Sequence, residues 1–237
     1  MKLYLVLMIF MTSMCAFSSA DITALYKTQY SKVNVFSEDD INELSKTRII
    51  LIPGILSETF LKNDNRSSVD FSFITDDYFA TPLTYFPTKY NIKTERILVS
   101  SKDISETKKY IRSSLDNAIL ADERVLFVAH SLGGIALIEF LIENPKYYSK
   151  IKGNVFLQSP LYGTPIAQIY RDNHYNIKKI LSRVIPFLNT SSATISELEV
   201  EYRTDFMNRN QDQIQQMISL IPTLTFATKV NDSYCLL

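Results

Sequence analysis

Four short stretches of this chain are apolar without interruption: Ile49–Ile52, Ile97–Val99, Val125–Ala129 and Val155–Leu157. A strand with one face in water alternates apolar and polar residues, whereas an unbroken run suits a strand covered on both faces. Helical patterns fill the intervals. Asp103 followed by Glu106 has the spacing of a capping box, and Ile104, Ile111, Leu115 and Ile119 then share one stripe. Leu132 to Asn144 reads as a second helix, stopped by Pro145. Strand and helix thus alternate from about Arg48 to Leu157. The expected class is α/β, with a mostly parallel sheet covered by helices.

Beyond Gly163 the alternation pauses. Residues 168–218 hold a helical stripe (Ile177, Ile180, Leu181, Val184), a loop at Asn189 to Ser192 and further polar helical material. The sheet resumes at "IPTLTFATKVND", with Leu224 to Ala227 as its strand. The insertion is either a helical cap over one sheet edge or a set of ordinary covering helices. Residues 61–92, rich in tyrosine and phenylalanine, are expected to hold a loop and the first covering helix.

The start of the chain, "MKLYLVLMIFMTSMCAFSSA", has the anatomy of a secretory signal: Lys2, an apolar run from Leu3 to Met11, then small residues before a cleavage point at Ala20. The run is too short for a membrane span and is broken by Thr12 and Ser13. Met14 stands where lipid attachment at Cys15 would need a small residue. Export to a periplasm or outside the cell follows, with residues 21–237 as the mature domain and no stable membrane span after cleavage. Cleavage also removes Cys15, so Cys235 has no internal disulfide partner and the core must hold the fold unaided.

Basic and acidic residues balance, 25 against 25, so no field of one sign recommends a nucleic acid or an anionic membrane surface as partner. No phosphate-cradling glycine loop and no paired-cysteine metal spacing occurs. Neither a cofactor nor a metal is implied. Oligomeric state is left open.

Glycine is scarce: five residues, where ordinary composition would supply about seventeen. A chain this sparing keeps glycine where no side chain fits. Gly54 follows the first apolar run, Gly133 and Gly134 follow the third, and Gly163 lies just after the fourth. All four therefore fall at the carboxyl edge of the expected sheet, where open α/β sheets bind ligands. Gly153 precedes its run and reads as a turn.

Among these glycines stands "VLFVAHSLGGIALIEFL", with Ser131 between Ala129 and Gly133. A serine on a sharp strand-to-helix turn has its hydroxyl lifted clear of the sheet, and the first helical N–H groups, Leu132 foremost, face the space beside it. This segment resembles the nucleophile elbow of the α/β-hydrolase superfamily, especially its bacterial lipases and esterases. Two further segments resemble that family: "RIILIPGIL", as the third strand and oxyanion loop, and "FLQSPLYGTPIA", as the segment after the sixth strand. The resemblance spans about residues 45 to 232. It implies a lipase- or carboxylesterase-like enzyme acting on a small-molecule or lipid ester. Ser131 would be the nucleophile, and the N–H groups of Leu132 and Ile55 would form the oxyanion hole. Asp232, a few residues past the last strand, would be the carboxylate that orients a histidine.

The family's order then requires a histidine after Asp232, and "SYCLL" contains none. The chain's two histidines are His130, which the turn directs away from Ser131, and His174 in "YRDNHYN", which reads as an exposed polar residue. Three accounts stand: a C-terminally truncated form of a longer hydrolase, a complete enzyme that borrows His174 or a partner's histidine, and a hydrolase fold kept only for binding. The sequence favours the first, and the 237-residue form is expected to be poorly active and marginally stable. An acyltransferase or thioesterase on the same fold is a further alternative. Ile185, Phe187 and Leu188 suggest an apolar lid or plain core.

Overall fold

A computed structural model describes residues 37–54, 79–100, 103–165, 167–168 and 192–227. They contain a five-stranded sheet: β1 (Thr47–Ile52), β2 (Lys93–Arg96), β3 (Arg124–His130), β4 (Ile151–Leu157) and β5 (Thr223–Phe226). The spatial order is β2-β1-β3-β4-β5, and each neighbouring pair is parallel. The helices are α1 (Glu38–Ser45), α2 (Ala80–Tyr90), α3 (Ile104–Leu120), α4 (Leu132–Glu143), α5 (Ser192–Ser196), α6 (Val200–Arg209) and α7 (Gln211–Leu220), with a 3-10 turn at Pro145–Lys150.

From β1 the chain moves to one side of the sheet to make β2, then returns past β1 to build β3, β4 and β5 in sequence on the other side. Right-handed crossovers require connections of opposite direction to lie on opposite faces. The two apolar clusters follow that rule. On one face Ile50, Ile52, Val125, Phe127, Ala129 and Phe156 pack with Ile111 and Leu115 of α3, the apolar side chains of α4, and Met217 of α7. On the other, Ile49 and Leu51 pack with Leu44 of α1 and with Leu83 and Phe86 of α2. β1 contributes to both clusters and its four apolar residues are all buried, as its unbroken run requires.

The helix α4 is buried continuously from Leu132 to Leu141, which explains why it is apolar almost all round. Asn144 closes it: the side-chain amide donates to Phe140 O (2.7 Å), its own oxygen accepts from Arg112 (2.8 Å), and Pro145 follows. α7 packs against α4 and the 3-10 turn. Of the 168–218 segment, residues 169–191 lie outside the described residues, as do Ile185, Phe187, Leu188 and the signal-like first twenty residues.

Three sequence expectations require correction. The second strand is Lys93–Arg96, not Ile97–Val99. Ile97 still donates its N–H to Leu51 O (3.1 Å), and Ile97 and Val99 are buried, so the apolar run marks the chain passing over the core after a strand of polar composition. Gly153 is not a turn before its strand but lies within β4, where the register with β3 slips between Val125 and Leu126. Glycine suits such a bulge. Asp103 caps α3, accepting from the Ser105 N–H (2.7 Å), yet Asp103 donates its own N–H to Ser100 Oγ (3.3 Å) rather than to Glu106. A reciprocal box is found instead at Ser37 and Asp40 of α1.

Candidate active site

β3 ends at His130 and α4 begins at Leu132, so one residue, Ser131, turns the chain from strand to helix. Its φ of 52° and ψ of −124° belong to a region side chains rarely occupy, at a cost of about 1–3 kcal/mol. Two backbone bonds hold the residue there. Its N–H donates to Leu157 O (3.1 Å), and its carbonyl accepts from the Gly134 N–H (3.0 Å). A serine at a helix N-cap ordinarily spends its hydroxyl on the amides of the first turn. The Ser131 side chain makes no such bond. The residue is half-buried.

The turn sits where the sheet changes direction. The connection leaving β1 leads to β2 and that leaving β3 leads to β4 on the other side, the kind of switch point at whose carboxyl edge open α/β sheets bind ligands. Both glycines after Ser131 are required by what surrounds them. A Cβ on Gly133 would lie 2.3 Å from Pro53 O and 2.6 Å from Ile52 O. A Cβ on Gly134 would lie 2.0 Å from Ser159 Oγ. The first turn of α4 is therefore wedged between the chain leaving β1 and the chain leaving β4. Leu132, at the first helical position and 1% exposed, has no intrahelical acceptor for its N–H, which lies at the positive end of the helix next to Ser131. Pro53 and Gly54 lie beside it. Ile55, one residue on, is outside the described residues.

No protein-family model matches the chain, and no curated protein sequence does. Solved structures do. The mature form of the lipase BlEst2 from Bacillus licheniformis superposes with a TM-score of 0.55 at 17% identity, over 78% of this chain and 66% of that one. The metagenomic carboxyl esterase MGS0156 gives 0.54 at 17% identity, over 77% and 50%. The fold is that of the α/β hydrolases. The propeptide form of BlEst2 is similar too, with a TM-score of 0.53 at 16% identity over 79% of this chain and 37% of that one. The chain thus spans less than two thirds of the length of each of these structures.

Within the hydrolase fold, the segment "SPLYGTP" forms the turn after β4. Gly163 has a φ of 85°, and a Cβ there would meet Val200 Cα at 2.6 Å. Its N–H donates to Pro160 O (2.8 Å), and Thr164 N–H donates to Leu198 O (2.9 Å), tying the turn to the entry of α6. Gly54, Gly133, Gly134 and Gly163 all fall at the carboxyl edge of the sheet, as their scarcity suggests.

His130 is the last residue of β3 and alternates with Ala129, so it sides with Val128 and Leu126 on the α1/α2 face rather than with α4. Burial lowers its pKa below the ordinary imidazole value, and a side-chain hydrogen bond with Gln158 offsets part of that. Asp232 and His174 lie outside the described residues. Among the described residues no cluster of three or more His, Cys, Asp or Glu side chains could hold a metal, and no helix is long and apolar enough to cross a membrane. Two features had no signal in the sequence. Gln158, with a φ of 48°, carries the partner of His130. Arg203 and Glu139, 64 positions apart, form a buried ion pair behind the turn after β4.

Proposed function

We propose that the chain is an exported serine ester hydrolase of lipase or carboxylesterase type that acts through Ser131. The observation that carries this reading is the strained, non-capping Ser131 at the topological switch, with the N-terminus of a buried helix beside it. Strain of that kind persists only where the surroundings over-determine it, and such sites cluster at reactive groups.

In the proposed reaction Ser131 Oγ forms a bond to the ester carbonyl carbon while its proton passes to a base. The resulting oxyanion is held by the N–H groups of Leu132 and Ile55. Collapse breaks the carbon–oxygen bond to the leaving alcohol, which takes the proton. Water then attacks the acyl-serine, releasing the acid and restoring the hydroxyl. Asp232 is assigned the orienting of the base. His130 is turned to the opposite face and engaged with Gln158, so it is not assigned that role. The base is His174 or a histidine supplied from outside these 237 residues. Without one, turnover falls by up to about 10⁶-fold, and the oxyanion hole alone leaves a residual rate.

Hydrolysis of p-nitrophenyl esters by the full chain, its Ser131→Ala variant and its His174→Ala variant tests the reading. A rate lost in Ser131→Ala supports the nucleophile, and a further loss in His174→Ala assigns the base. Fluorophosphonate labelling that is unchanged by Ser131→Ala moves the nucleophile elsewhere and overturns the proposal, and labelling absent from the native chain overturns it in favour of a binding role or an inactive fragment. Transfer of the acyl group to an alcohol in preference to water would make the enzyme an acyltransferase.

A further inference from the structure

The turn after β4 packs directly on the first turn of α4, where Ser159 stands against Gly134 three residues from Ser131. Besides the backbone bond from Thr164 to Leu198, that turn is fastened from behind by a buried arginine. Arg203 of α6 is 0% exposed. Its Nη1 donates to Glu139 Oε1 on α4 (2.5 Å), and its Nε donates to Leu161 O within the turn (3.2 Å). The guanidinium also lies over the Phe206 ring, 4.4 Å from the centroid. One fork therefore grips both the helix that begins at Ser131 and the loop that touches its first turn.

Stability alone does not explain this choice. Arg203 Nη2 is buried and has no hydrogen-bond partner among the described residues. Buried ion pairs are often replaceable by apolar side chains of similar volume at no loss, and an idle buried donor adds a desolvation cost. Glu139, moreover, has a second cation nearby, Lys108 Nζ at 3.6 Å. An apolar residue could donate to neither group, and a lysine would have to reach the carboxylate and the carbonyl from one nitrogen, whereas the guanidinium donates from Nη1 and Nε in one fixed plane.

We infer that Arg203 is a positioning residue: by clamping Leu161 O to Glu139 it sets the distance between the turn after β4 and α4, and so the attack geometry at Ser131. The inference rests on the ester-hydrolase reading above. Misplacement by about 1 Å can cost on the order of 10²-fold in rate even when it originates away from the chemistry.

The discriminating variant is Arg203→Lys in the full chain, which keeps a charge opposite Glu139 and gives up the bond to Leu161. Glu139→Gln serves as the second variant, retaining the carbonyl bond and neutralising the anion. Two readouts are taken on protein shown to be folded by circular dichroism: amide hydrogen exchange at Gly163 and Thr164, and fluorophosphonate inactivation resolved into its binding constant and its limiting rate. The expected result for Arg203→Lys is faster exchange at both amides and a limiting rate lowered about tenfold or more, with the binding constant changed less than twofold. Glu139→Gln should show the smaller change in both. Unchanged exchange overturns the clamp. Faster exchange with an unchanged limiting rate makes Arg203 a brace without influence on Ser131 and overturns the inference while leaving the hydrolase reading intact. A native chain that is not labelled at all fails the hydrolase reading itself, and the positioning role falls with it.

Discussion

At the scale of single residues the two glycines after Ser131 look alike in sequence and are constrained differently. The would-be Cβ of Gly133 meets carbonyl oxygens of Ile52 and Pro53, backbone that cannot swing aside, whereas that of Gly134 meets the Ser159 side chain. Gly133→Ala should therefore destabilise by roughly 1–3 kcal/mol through overpacking and abolish labelling of Ser131. Gly134→Ala should be relieved in part by Ser159→Gly. Urea denaturation of the two single variants and the double variant checks this; equal penalties with no relief would contradict it. His130 permits a prediction with a sign. Burial depresses its folded-state pKa, so the unfolded chain binds the proton first on acidification. Its contribution is fully present above the ordinary value near 6.5 and declines as pH falls from there through the lowered folded value. Removing it in His130→Gln should flatten stability between about pH 7 and 5, measured by urea midpoints across that range. Scarcity alone made the glycines legible. The backbone oxygens that exclude a side chain at Gly133, and the Gln158 that occupies His130, come from elements distant in sequence and left no local mark.

Among the elements, legibility followed coverage of both faces, complete along the apolar run of β1 and with the second face half-buried in β3. β1 and β3 are central, and their unbroken apolar runs located them to within a residue or two. β2 is the outermost described strand on its side, its sequence is Lys-Thr-Glu-Arg, and polar outer strands are favoured because they resist edge pairing. The apolar run beside it was the stronger signal and belonged to core-packed residues just beyond. β4 begins at Ile151, four residues ahead of its apolar run, and the sequence hides this because a bulge glycine and a turn glycine look the same. The N-cap of α3 was legible and its reciprocal half was not, since Ser100 Oγ had taken the donor that Glu106 would have bound. Asp103→Ala should cost about 1 kcal/mol. The Ser105 hydroxyl and amide hold the Asp103 carboxyl below its ordinary range. That contribution is present above the unfolded value near 3.9 and disappears as pH falls through the lowered folded value. Thermal midpoints of the variant and parent should accordingly differ at pH 6 and converge near pH 2; a constant gap would assign the effect to helix propensity instead.

For the whole molecule, the arrangement of the sheet decides how the parts depend on one another. Ile50 and Ile52 point into one apolar cluster while Ile49 and Leu51, the alternating residues of the same strand, point into the other. β3 is shared in the same way, through Phe127 on one side and Leu126 and Val128 on the other. Neither cluster can lose its helices without exposing the reverse side of strands the other needs. Ser131 hangs at the junction, with Gly133 pressed against the end of β1 and Gly134 against the loop after β4, so its strained backbone is paid for by both cores together. A single cooperative transition follows. Ile111→Ala, in the α3/α4 layer, and Leu51→Ala, in the α1/α2 layer, each remove a side chain at most 1% exposed and should each cost about 2–5 kcal/mol. Each should also move one common transition, with far-ultraviolet dichroism and tyrosine fluorescence coinciding in both variants and reactivity at Ser131 vanishing at the same midpoint. If Leu51→Ala produced a separate early transition that left the α3/α4 layer folded and Ser131 reactive, the α1/α2 face would be a dispensable layer, and the strain at the turn would be borne by α4 and its neighbours alone.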